Sequence, residues 1–194
     1  INFLNRNNLI DKRDKVINQY LKGFDQNFVD SIINSNKRII NNAMQGMGVV
    51  FFDSYSLIDN LNDELTQAML QLASVTSPNF HESNYMLAGY LGENQDNNKA
   101  IKYLMKIPQN HYLNEISTLQ IAQYHSVDSD YSKSIDFLKK KTKRKESYNS
   151  LLALGNYYRY EKNWDEAINI YDKAINYENK NNDKNLWEAY FRLG

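Results

Sequence analysis

The feature that most constrains this chain is a small residue that returns at a nearly fixed interval. Gly155, Ala122, Ala88 and Ser54 are spaced 33, 34 and 34 residues apart. A second column, Ala167, Ser134, Ala100 and Thr66, repeats the same intervals, and large residues follow in register at Tyr171, Leu138, Leu104 and Leu70. Periods of this length belong to supersecondary units that must stack, because each unit has two apolar faces and cannot cover both by itself.

The clearest unit runs from Leu151 to Ile175. Leu151, Leu154, Gly155 and Tyr158 fall at i, i+3, i+4 and i+7, which is one stripe of a helix. After a break at Lys162-Asn163, Ala167, Tyr171 and Ala174 mark a second stripe. The small positions let two helices approach closely, and the large ones, with Tyr158 and Trp164 among them, are expected to fill the remaining space.

These residues resemble the tetratricopeptide repeat, whose pattern is met in order by Leu151, Leu154-Gly155, Tyr158, Ala167, Tyr171 and Ala174. The closing proline of that pattern is replaced by Asn179 and survives only as Pro78, and Lys141 stands where other units carry Ala73 and Ala174. The resemblance implies an all-α fold, a right-handed superhelical solenoid of antiparallel helix pairs. It divides the chain into repeats over 47–80, 81–114, 115–147 and 148–181, with a partial repeat and connecting helix over 1–46 and the truncated start of another over 182–194.

In the partial repeat, Asp14–Gly23 reads as a second helix, Phe28–Ile33 as a short extra helix and Asn34–Asn41 as a loop. Gly194 follows Gly155 by 39 residues rather than 34, and the polar stretch Asn179–Asn185 is expected to absorb the excess as a long loop. The chain opens on Ile1 without a methionine and stops inside a new repeat, which is expected of a piece of a longer protein. No separate globular domain is expected between its ends.

Charge and composition remove several functions from consideration. Lysine plus arginine equals aspartate plus glutamate, 23 against 23, so no overall field favours nucleic acid or an anionic membrane. The absence of cysteine excludes disulfides and thiolate metal sites, and no apolar run is long enough to span a bilayer. His81, His111 and His125 lie in no metal-binding spacing, and the first two are expected near helix ends. Gly46/Gly48 and Gly89/Gly92 sit within helical pattern rather than after a strand, so they form no phosphate loop. Gly89 and Gly92 instead predict a small-residue face open to packing or to a ligand. Neither catalytic residue, metal nor cofactor is expected.

One cationic run stands out: Lys139, Lys140, Lys141, Lys143, Arg144 and Lys145. It is expected at the end of a second helix, where positive charge complements the helix dipole; an anionic partner is the sharper reading.

In the family, first helices line a concave groove. Carried over by repeat position, the groove residues are Phe51, Tyr55 and Ile58, then Glu82, Tyr85 and Gly89, then Leu119, Gln123 and Ser126, and finally Asn149, Asn156, Arg159 and Tyr160. Aromatics at one end and amides with arginine at the other suit an extended or helical peptide. Glu82 in the same groove argues against a carboxylate clamp.

The implied function is a scaffold or adaptor that binds a protein or peptide, with self-association expected through exposed terminal repeats. The competing reading is the repeat region of a larger enzyme whose catalytic part lies outside this window. The segments AMQG, AIKYLMKIPQ and LGNYYRYEKNWDEAINIYDKAI followed by LWEAYFRLG also resemble alphaproteobacterial tetratricopeptide proteins of unassigned role, a resemblance that implies a periplasmic or envelope location, with the cytoplasm as the alternative, and a role in envelope assembly.

Overall fold

The computed structural model describes residues 10–20, 22, 29–30, 40, 42–57, 63–126, 130–181 and 187–193. Among the described residues it is all-helical, with ten helices and no strand. These are α1 (Ile10–Tyr20), α2 (Ala43–Leu57), α3 (Asp63–Thr76), α4 (His81–Glu93), α5 (Asn97–Leu104), α6 (Asn114–His125), α7 (Ser132–Arg144), α8 (Tyr148–Tyr160), α9 (Trp164–Asn181) and α10 (Trp187–Leu193). The chain divides into two compact units, Ile1–Asn114 and Glu115–Gly194. In the first, α2 packs on α3, α3 on α4 and α4 on α5; in the second, α7 packs on α8, α8 on α9 and α9 on α10.

The repeat reappears in the backbone of the turns. After α4, Gln95 adopts a φ of 63° while its N–H donates to Gly92 O and the Asp96 N–H donates to Leu91 O. After α8, Lys162 adopts a φ of 61°, with Lys162 N–H to Arg159 O and Asn163 N–H to Tyr158 O. Both are left-handed caps that satisfy the last carbonyls of one helix. The next residue then starts the following helix. Asp96 Oδ1 accepts from the Lys99 N–H at 3.3 Å and Asn163 Oδ1 accepts from the Glu166 N–H at 3.4 Å, each acting as an N-cap. One three-residue turn thus closes one helix and opens the next, using equivalent bonds at both places.

The small and large columns meet inside the helix pairs. Ala88, Ala122 and Gly155 are buried, as are Ala100, Ser134 and Ala167, and so are Leu70, Leu104, Leu138 and Tyr171. Ser54 and Thr66 in the first pair are only partly buried. Where the column residue is serine, it is bonded: Ser134 Oγ donates to Ala122 O at 2.7 Å and ties α7 to α6.

Gly155 has a specific steric reason. A Cβ built there would stand 2.4 Å from Tyr171 Cε1 and 2.6 Å from Cδ1, so the tyrosine ring lies directly on the glycine backbone. Gly48 plays a similar part between α2 and the end of α3, where an added Cβ would meet Ser77 Cβ at 2.6 Å and Thr76 Oγ1 at 2.7 Å.

Several expectations require correction. Trp164 is 57% exposed, not core, because as the first residue of α9 it precedes the stripe that Ala167, Ile170 and Tyr171 turn inward. The helix α9 continues through Asn181, so the expected loop cannot begin at Asn179; residues 182–185 lie outside the described residues. The early helix spans Ile10–Tyr20 rather than starting at Asp14, and Gly23 lies outside the described residues. Of the expected Phe28–Ile33 helix, only residues 29–30 are described, and they are helical; of the Asn34–Asn41 loop only Ile40 is described. Lys141 does not intrude on the core as a full charge would. It is half-buried, with its ammonium 5.6 Å from the centre of the Phe137 ring, while Thr142 takes the buried position and bonds to Leu138 O at 2.9 Å.

Candidate functional site

In the first unit, four polar side chains converge although the sequence holds them in two places. His81 and Glu82 open α4, while His111 and Tyr112 lie in the turn before α6. The two imidazole rings meet edge to face at 4.9 Å, His111 stacks on Tyr112 at 4.5 Å, and the Tyr112 hydroxyl donates to Glu82 Oε1 at 2.7 Å. The Leu113 N–H donates to His111 Nδ1 at 3.3 Å, which leaves the proton of the neutral ring on Nε2. His81 Nδ1 is buried with no hydrogen-bond partner.

Burial lowers the proton affinity of both histidines; Glu82 opposes the effect, and His81 adds to it at His111. Burial, reinforced by Glu82, raises that of the Tyr112 phenol. These four residues therefore fasten the turn to the start of α4 in the neutral-imidazole state. A histidine whose folded pKa lies below its unfolded value of about 6.5 stabilises the fold fully above that value. The contribution is lost as pH falls through the folded pKa. We expect the urea midpoint of the chain to drop between pH 7.5 and pH 5, and His111→Phe to flatten that dependence. An unchanged slope in the variant would show that the pair is not its source.

The predicted groove residues fall into two sets. Phe51, Tyr55, Glu82, Tyr85 and Gly89 belong to the first unit, and Leu119, Gln123, Ser126, Asn149, Asn156, Arg159 and Tyr160 to the second; Ile58 lies outside the described residues. In the first set, Phe51 and Tyr55 are half-buried, and the Tyr55 ring lies 6.3 Å from Phe52. Glu82 is committed to Tyr112. Tyr85 is half-buried, and one turn further along the same helix Gly89 opens onto empty space, with no atom within 4 Å of an added Cβ.

In the second set the amides are partly used by the fold. The Tyr171 hydroxyl donates to Asn156 Oδ1 at 2.8 Å, and Asn149 Nδ2 donates to Glu115 Oε1 at 3.1 Å. Arg159 bonds to Tyr171 and lies 5.3 Å from the Tyr160 ring centre, yet its Nε is buried without a partner. Gln123 is exposed. Tyr160 joins Tyr131 and Tyr157 in a three-ring cluster with centroids 5.3, 5.9 and 6.1 Å apart.

The sequence reading missed Tyr131 and Tyr157 because neither occupies a groove position of the repeat. It missed the His81–His111 pairing because the two are 30 residues apart, off the repeat interval. A histidine beside an acidic or phenolic residue at both ends of one unit was the available signal.

The cations of the basic run lie on α7 and its exit. Lys139, Lys140, Lys143, Arg144 and Lys145 are exposed. Among the described residues no three His, Asp or Glu side chains converge to hold a metal ion, and no helix is long and apolar enough to cross a membrane. No family model matches the chain, and no curated protein is significantly similar to it.

Proposed function

We propose that the chain is a protein-binding scaffold of tetratricopeptide type, which presents first-helix side chains to a peptide or protein partner and carries no catalysis of its own. The observation that carries this reading is the pairing of Tyr85 with Gly89 on α4. The opposite side of α4 is consumed by packing, with Ser83, Asn84, Leu87, Ala88 and Leu91 buried. Tyr85 instead offers a large amphipathic ring beside the open backbone of Gly89, an arrangement in which a partner backbone can come close. The partly exposed Tyr131, Tyr157 and Tyr160 supply the same chemistry in the second unit. Tyrosine supplies large contact area at low entropic cost and is a common anchor of binding surfaces.

The open space at Gly89 makes the test clean. Gly89→Glu adds a side chain whose Cβ meets no atom within 4 Å and replaces glycine with a better helix former. A partner captured by photo-crosslinking from position 85 and then purified should bind Gly89→Glu, or Tyr85→Ala, about tenfold more weakly, with thermal unfolding of Gly89→Glu not lowered. Unchanged affinity in both variants would overturn the reading.

A further inference from the structure

The helix α7 sorts its residues into two halves of its circumference. Ser134, Ile135, Leu138 and Thr142 are buried, while Lys133, Asp136, Lys139, Lys140, Lys143 and Arg144 are exposed on the other side, and Lys145 continues the run in extended backbone. The exposed half and its exit thus hold six cations, counting Lys145, against two carboxylates, Asp136 and Glu146. This contrasts with a chain whose net charge is zero. Toward the start of the helix the charge is answered: Lys133 lies close enough to Asp130 to favour its carboxylate, and Tyr158, then Glu166 and Asp136, favour the charged form of Lys139. Toward the end it is not. Among the described residues Lys140, Lys143, Arg144 and Lys145 close no salt bridge, and burial, reinforced by Arg144, disfavours the charged form of neighbouring Lys141.

We propose that the C-terminal end of α7 is a docking surface for an acidic polypeptide segment, held by Lys140, Lys143, Arg144 and Lys145. The helix dipole accounts for one or two cations in the last turn; it does not account for four that repel one another. One feature selects an acidic polypeptide over a lipid surface or a nucleic acid: the exposed half of α7 carries no exposed apolar or aromatic side chain, since Phe137 is half-buried beneath Lys141 and Tyr158 is buried near Lys139. It therefore offers nothing to insert into a bilayer and no ring on which a base could stack. What remains is an exposed set of long cationic side chains, matched to a flexible run of aspartate and glutamate.

None of these cations belongs to a first helix, so this surface stands or falls independently of the Tyr85–Gly89 reading. The test is fluorescence anisotropy of a labelled all-glutamate peptide titrated with the full chain at low salt and at about 0.15 M salt. Vesicles rich in phosphatidylserine and a single-stranded oligonucleotide are titrated in parallel. The glutamate peptide should bind, weaken roughly tenfold between the two salt conditions, and lose binding in the triple variant K140E/K143E/R144E but not in Lys173→Glu. All these positions are exposed, so both variants should melt like the parent. No binding at low salt, equal binding by the triple variant, or tighter binding of the vesicles or the oligonucleotide would each overturn the proposal.

Discussion

Gly155→Ala is expected to destabilise the chain by about 1–3 kcal/mol, although alanine is the better helix former. The new methyl would have to occupy space held by the Tyr171 ring, 2.4 Å from Cε1 and 3.1 Å from Cζ. The ring has little room to yield, because Tyr171 is among the most buried side chains and its hydroxyl is fixed to Asn156. Tyr171→Leu alone should also destabilise, by about 2–4 kcal/mol, through the cavity and the lost hydrogen bond. The double variant carries the informative result. Two other helix pairs use alanine with leucine at these positions, Ala88 with Leu104 and Ala122 with Leu138, and all four are buried. Importing that combination should recover much of the loss, giving a favourable coupling of about 1 kcal/mol or more in urea unfolding. Strict additivity would mean that glycine and tyrosine are not a matched pair.

This exchange also explains why so much of the fold was legible. A column of small residues facing a column of large ones is a volume constraint, and volume constraints survive drift as compensated pairs. The columns at Ala88, Ala122 and Gly155 and at Leu104, Leu138 and Tyr171 therefore located the helix-pair interiors correctly. Trp164 misled because aromatic content alone suggested core, whereas position within the stripe decides burial and Trp164 lies outside it. The cap at Lys162 was legible as a break but not as a left-handed residue, since lysine carries no preference for positive φ; only the bond pattern shared with Gln95 reveals it.

The site was less legible than the fold. Repeat register says which side of a helix faces away from its partner, so Tyr85, Gln123 and Tyr160 were found at or near the surface. Register does not say which polar groups the fold itself consumes. Asn156 and Asn149 are drawn into bonds with Tyr171 and Glu115, and Glu82 into one with Tyr112. Such pairings depend on turn geometry and side-chain reach across helices, which no periodicity encodes.

Asn84→Asp should be the most damaging isosteric change in the first unit. Asn84 has no exposed surface; its Oδ1 accepts from Ser74 Oγ at 2.6 Å and its Nδ2 faces Pro78 O at 3.5 Å. A carboxylate keeps the first contact but turns a second oxygen toward a carbonyl and places an uncompensated charge between α3 and α4. The expected loss is on the order of 3–5 kcal/mol at pH 7. Its pH dependence separates charge from packing. The buried carboxyl has a folded pKa above the unfolded value of about 3.9, because burial and Pro78 O both oppose ionisation. Relative to the parent at each pH, the variant should therefore be least impaired below that value, where the protonated acid can donate to Pro78 O as the amide does. The deficit should grow as pH rises through the interval between the two pKa values and then level off. Urea unfolding of both proteins from pH 4 to pH 8 measures this difference directly. A deficit of the same size at pH 4 and pH 7 would show that Asn84 matters for its shape and not for its neutral, donating amide.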